Sequence, residues 1–427
     1  MPEIPIPEFN RPIENAAPPQ REIEFPNGEA ALEAYLRKYE GETERAEKIK
    51  DFLYEFLRQE IQNITVFKSE KYGAELPYTS IKIAELAKSA YQKYRGNLPA
   101  ELAASSQAPI KQQYVIGSAI ATAEGNEFTF VEEAMSQCVK YLPTALKELQ
   151  EGNEPEEREI ITLGMPTNTL GSITPELGEK LATAPYDEMG KIYAELVNYK
   201  AQSEQGKPKI IELYGVSLGS NIAIRTGEQL VEQGAGTQDF EVAKKQNLPY
   251  LEIRAEVPVS LSQSKIKKLQ IPVGFLLDAA HESRLPEIKR IEAGKPPFAT
   301  AVAKILADRG ITEQMSDEQK KIKNKVLRNI IMKLGNKFEP KPETKITSIY
   351  GLKDLTTYTP SMVKEAETQG KEFGGTLGQN LLERQRPNVR SFTAEMPHLS
   401  PRFPDNELKR MRVLGIALED LKQGKKS

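Results

Sequence analysis

The chain predicts an α/β fold, a mostly parallel sheet with helices on both faces. Two observations carry this expectation. From "KQQYVIGSAIA" onward, short apolar runs alternate with amphipathic stretches: "QYVIG", "FVEEAMSQCVKYLPTALKELQ", "EIITLG", "DEMGKIYAELVNYKAQ", "KIIELYG" and "GSNIAIRTGEQLVEQ". Strands alternating with helices imply parallel strands joined by helical crossovers. The composition agrees. With 39% hydrophobic and 28% charged residues over 427 positions, the chain can fill one large domain plus an appendage, or two domains.

Taken in order, residues 1–26 hold seven prolines and few consecutive apolar residues, which predicts an extended arm. Residues 27–107 are expected to form a helical extension. Leu32, Tyr35, Leu36 and Tyr39 fall at helical spacing, as do Ile49, Phe52, Leu53, Phe56 and Leu57. A further helix is expected through "SIKIAELAKSAYQKY", stopping near Gly96-Asn97, with "LPAELAASSQAP" as a linker. Residues 108–427 make up the α/β domain.

Inside that domain the alternation breaks at about 282–341. Val302, Ile305 and Leu306 share a helical face, and Ser316-Asp-Glu-Gln319 is a capping-box pattern. The helix it opens carries Ile322, Val326, Leu327, Ile330 and Ile331, and stops near Gly335. This block is expected to be a helical insertion, either a cap over a pocket or an extra structural layer. "KITSIYG" and "NVRSFTAEM" then resume the strands, and a last helix runs from Asp405 to Leu421.

Several function classes are disfavoured. A net charge of −3 gives no electrostatic reason to expect nucleic acid or a membrane surface as partner. The one cysteine, Cys138, rules out a disulfide within the chain and suits a reducing compartment; its helical context makes it core filling. Two histidines and one cysteine argue against a zinc site. The N-terminus lacks the apolar core of a secretory signal, and no run of about eighteen apolar residues suggests a membrane span. There is no P-loop and no G-x-G-x-x-G after a strand, so no cofactor is expected. A cytoplasmic protein acting on a small molecule is the expectation.

The chemistry centres on Gly215-Val-Ser217-Leu-Gly219, a G-x-S-x-G pattern. "KIIELY" reads as the strand leading in. Asn221 to Gln233 carries Ile222, Ala223, Thr226, Leu230 and Val231 at helical spacing, the helix leading out. Such a turn throws the serine hydroxyl clear of the sheet, and glycines on both sides let the backbones pass closely. The helix N-terminus and the N–H of Leu218 would stabilise an oxyanion. His398 follows a strand-like run and precedes the last helix, where a general base for Ser217 would stand. Asp354, just after "KITSIYG", is the favoured acid; Asp278, after "VGFLL", is the alternative, and His281 a second candidate base.

With these residues in the order Ser, Asp, His, the chain from about Ala108 to its end resembles the α/β-hydrolase-fold serine hydrolases. The resemblance assigns the nucleophile to Ser217, the acid to Asp354 and the base to His398. It places the cap domain at the helical insertion. It also implies a second oxyanion donor in the loop after "QYVI", at Ser118 or Ala119. That loop reads Gly117-Ser118-Ala119 and lacks the family's common His-Gly. The implied activity is hydrolysis of an ester or related acyl substrate through an acyl-enzyme. The alternatives are an inactive hydrolase-like scaffold that binds a small molecule or partner, and an acyltransferase.

Overall fold

The computed structural model describes residues 65–103, 111–116, 129–164, 175–203, 208–216, 218–256, 339–351 and 388–394, and 414, 416–418, 420, 421 and 423. All lie in one compact unit, Glu42–Ser427. Expectations for the N-terminal arm, the helices before Thr65 and, but for its last three positions, the insertion at 282–341 fall outside the described residues.

The chain enters the sheet as a hairpin, β1 (Thr65–Ser69) and β2 (Ala74–Lys82). Gly73 turns it at φ +63°, a conformation that suits glycine. Helix α1 (Ile83–Arg95) follows directly, then a short turn of helix, α2 (Ala100–Ala103). This corrects the expectation of a wholly helical extension over 27–107. The helix expected from "SIKIAEL" begins at Ile83, and Ser80 to Lys82 belong to the strand. The physical reason is long-range pairing: β2 is zipped antiparallel to a later strand, with Tyr78 opposite Leu163 and Ile81 opposite Ile160. Leu76, Tyr78 and Ile81 are buried by that pairing.

From there strands and helices alternate: β3 (Lys111–Ile116), α3 (Thr129–Gln150), β4 (Arg158–Leu163), α4 (Pro175–Thr183), α5 (Pro185–Ser203), β5 (Ile210–Val216), α6 (Leu218–Glu232), α7 (Phe240–Gln246) and β6 (Tyr250–Glu256). The last two strands are β7 (Ile346–Gly351) and β8 (Val389–Ala394). Leu414, Leu418 and Leu421 are helical and buried, at the spacing of one helix face.

The eight strands form one sheet in the order β1-β2-β4-β3-β5-β6-β7-β8. β2 runs antiparallel to both neighbours, and all other pairings are parallel. The central strands are buried almost along their length because both faces are covered. Gln113 on β3 faces Tyr141 of α3, while Tyr114 faces Val197 of α5. Helices α1 and α3 therefore lie on one side, and α5 and α6 on the other. The second side holds the larger core, where Tyr114, Ile161, Leu213 and Ile253 meet Tyr193 and Ile222. Burying side chains of this size contributes about 2 kcal/mol each.

β3 lies between β4 and β5, so successive crossovers leave it in opposite directions. In open α/β sheets ligands bind at such a switch point, here the carboxyl ends of β3 and β5.

Candidate active site

One residue, Ser217, separates the end of β5 from the start of α6. Such a junction forces strand and helix backbones almost into contact. A Cβ on Gly215 would lie 2.3 Å from the carbonyl oxygen of Gly219 and 2.5 Å from the Cα of Ser220. No residue but glycine fits there. The packing beyond keeps α6 close to the sheet: a Cβ on Gly227 would stand 2.4 Å from Cδ1 of Ile253. Ile222, Ala223, Ile224 and Leu230 of α6 are buried, which fixes the helix axis. The outcome is the strand–turn–helix that the G-x-S-x-G pattern requires.

The chain has the α/β-hydrolase fold. The order of eight strands, with β2 alone reversed, and an elbow after β5 together mark it. No protein-family model matches the chain, and no curated protein matches it. Solved structures to which the chain is similar include a proline iminopeptidase-related protein from Thermus thermophilus, at 12% identity and a TM-score of 0.37, spanning 84% of this chain and 98% of that one. A thermophilic esterase from Thermogutta terrifontis stands at 10% identity and 0.32, spanning 82% and 96%. An epoxide hydrolase from hot-environment metagenomes stands at 10% and 0.34, spanning 82% and 97%. The strand order and the elbow, rather than these overall likenesses, mark the fold.

Within this fold the expected site residues take definite chain positions. Leu218 is the first residue of α6, where backbone N–H groups lack helical partners and face the positive end of the dipole. Ser217, Ser118, Ala119, Asp278, His281, Asp354 and His398 lie outside the described residues. The strands that lead to them are described. β3 ends at Ile116, register partner of Gly215, so the Gly117–Ala119 loop starts beside the elbow strand. β7 ends at Gly351, ahead of Asp354, and β8 at Ala394, ahead of His398. Both run parallel to β5, so all these ends lie on one edge of the sheet. β6 pairs directly with β7.

Three polar groups at the elbow were missed by sequence reasoning. Glu256, the last residue of β6, is buried and is the register partner of Val216. Its carboxylate accepts the hydroxyl of Tyr214. Ser220 Oγ donates to the carbonyl of Gly215 at 2.8 Å, and the carbonyl of Glu256 lies 3.1 Å from the same hydroxyl. The signal available was an acid ending an alternating strand, "YLEIRAE".

Farther down the sheet, charges serve structure. Glu212 is fully buried, 2.5 Å from Lys111 and 3.4 Å from Arg254, and accepts from Gln113 at 3.1 Å. Burial works to raise its pKa, but Arg254 and Lys111 outweigh it and hold the carboxyl at about 2. On the opposite face, Glu159 accepts from Ser80 and from Gln112 at 2.7 Å, with Lys200 at 3.1 Å. Tyr186, on α5, faces the buried Asn221 of α6, and burial pushes its phenol up to about 12. Among the described residues there is no cluster of metal-ligating side chains, and no helix is long and apolar enough to cross a membrane. Cys138 is buried, as expected for a core residue, and forms no disulfide.

Proposed function

We propose that the chain is a serine hydrolase acting on an ester or related acyl substrate, with Ser217 as nucleophile, His398 as general base and Asp354 as the acid that orients it. The observation that carries this reading is the glycine-lined crossing of β5 and α6 around position 217. Strand spacing supports the rest. Parallel neighbours lie about 4.8 Å apart, so the ends of β7 and β8 stand about 10 and 14 Å from the end of β5. Loops of a few residues, extending at about 3.3 Å each, bridge those gaps.

In this mechanism His398 takes the Ser217 proton as the serine oxygen attacks the acyl carbonyl carbon. The oxyanion forms against the N–H of Leu218 and a donor in the Gly117–Ala119 loop, Ser118 or Ala119. The tetrahedral centre collapses, the leaving group departs with the proton from His398, and an acyl-serine remains. Water, deprotonated by His398, then attacks that ester; the acid leaves and Ser217 regains its proton. The insertion expected at 282–341 would cap a hydrophobic acyl group, and the cytoplasm is the expected setting.

A fluorophosphonate probe tests the reading, since it forms a covalent adduct only with an activated serine. Wild type is expected to label and Ser217→Ala not to. A well-folded wild type that takes no label would instead support an inactive scaffold, the reading to which the absent His-Gly after β3 points. Transfer of the acyl group to an added alcohol, measured as product ratio, separates acyltransferase from hydrolase.

A further inference from the structure

β6 alternates strictly. Leu251, Ile253 and Ala255 are buried toward α6, while Glu252, Arg254 and Glu256 point to the opposite face. Glu252 and Arg254 are partly exposed and join the Lys111–Glu212 cluster. Glu256 differs. It is only 6% exposed, at the carboxyl end of an inner strand, where an ionised side chain is costly unless it is hydrogen-bonded. Of the parallel strands β3 to β8, β6 alone ends in a carboxylate.

Its partners are arranged about Ser217. Tyr214, three residues before the serine, donates its hydroxyl to the Glu256 carboxylate. Ser220, three residues after it, holds its hydroxyl 3.1 Å from the Glu256 main-chain carbonyl. Glu256 is also the register partner of Val216, which immediately precedes the serine. Glu256 therefore touches both arms of the elbow, the strand arm through its carboxylate and the helix arm through its main-chain carbonyl, which any residue at 256 supplies. Tyr214 is 5% exposed and Ser220 fully buried, so water competes little for either bond.

We propose that the Glu256 side chain is a positioning group for the nucleophile, clasping the strand arm of the elbow through the Tyr214 hydroxyl beside the main-chain contact at Ser220 on the helix arm. This rests on the serine-hydrolase reading. A tight strand–helix turn tends to relax unless its surroundings over-determine it. The Gly215 crossing sets how close the two arms come; the clasp sets the angle between them. That angle aims the residue at 217 and the N–H of Leu218. A misplacement of about 1 Å at a reacting group costs on the order of 100-fold in rate.

The test measures the first-order rate of fluorophosphonate labelling and the probe's half-saturation concentration separately. Glu256→Ala is expected to slow the labelling step by about 10- to 100-fold with half-saturation nearly unchanged. Glu256→Gln keeps an acceptor for Tyr214 and is expected to restore the rate to within a few-fold, with the same pH profile as wild type. Tyr214→Phe removes the same carboxylate bond, is expected to match Glu256→Ala, and serves if Glu256→Ala does not fold. Ser220→Ala removes the helix-arm contacts to the carbonyls of Gly215 and Glu256, which Glu256→Ala leaves in place. If Glu256→Gln is as slow as Glu256→Ala, or if all four variants label like wild type, the clasp is overturned. Hydrogen exchange of a peptide covering 214–221 gives a readout independent of catalysis: exchange is expected to rise in Glu256→Ala and not in Glu256→Gln. Equal exchange in the two overturns the proposal. A wild type that takes no label refutes the hydrolase reading, while the exchange result still decides the clasp.

Discussion

Glu157 stands just before β4 with its carboxyl among the first residues of α1. Lys82 at the N-terminus of that helix makes no side-chain cap, and the backbone of Ala84 bonds Glu157 instead. The acid thus caps a helix distant in sequence, satisfying an N–H that the helix itself leaves open. Burial nevertheless dominates and pushes its pKa up to about 7, with Ala84 offsetting part of the rise. The sign follows from linkage. A carboxyl whose folded pKa lies above its unfolded value of about 4.5 favours folding when protonated, and that advantage fades as pH rises through about 7. Glu157→Gln is therefore expected to be more stable than wild type at pH 8, by about 1–3 kcal/mol in urea unfolding. The two should converge at pH 5. A gap that stays constant from pH 5 to pH 8 would refute this.

At the scale of elements, the crossing of β5 and α6 is where sequence and structure agree most closely. "KIIELY" and the helix after it were legible because each has a clean apolar pattern, and the two glycines identify the crossing. Gly215→Ala is expected to be destabilised by about 3 kcal/mol or more, since the added carbon meets backbone rather than a movable side chain. A urea midpoint equal to that of wild type would show that the elbow is looser than described. β6 was not legible in the same way. Its alternating charges, Glu252, Arg254 and Glu256, break up the apolar pattern that marks the other strands, whereas in the fold Glu256 is buried and Arg254 reaches Glu212. The β1–β2 hairpin was hidden for a related reason. Its apolar residues merge into α1, and only pairing with β4 shows where strand ends and helix begins.

At the scale of the whole molecule, the sheet order decides which segments meet. β5, β6, β7 and β8 are neighbours in that order, so the segments after β7 and β8 emerge on the edge that holds the elbow. Direct pairing of β6 with β7 leaves no strand between them. Asp354, three residues past β7, is therefore the acid proposed ahead of Asp278, which is far along the chain from either strand. Asp354→Asn is expected to lower the hydrolysis rate of a short-chain ester by several orders of magnitude, as loss of an orienting acid does. Asp278→Asn should leave it within a few-fold. The reverse pattern would move the acid to Asp278.

The sequence by itself determined the fold class, the α/β alternation from β3 onward and the serine at a strand–helix turn. Each depends on residues close in the chain, whose periodicity and glycines act locally. The tertiary structure alone decided the strand order, the recruitment of residues 65–82 into the sheet and the burial of Glu256 against Tyr214 and Ser220. Those depend on pairings between strands tens of residues apart. Local pattern shows that a segment is a strand, but not which strand lies beside it or which of its charges that neighbour buries.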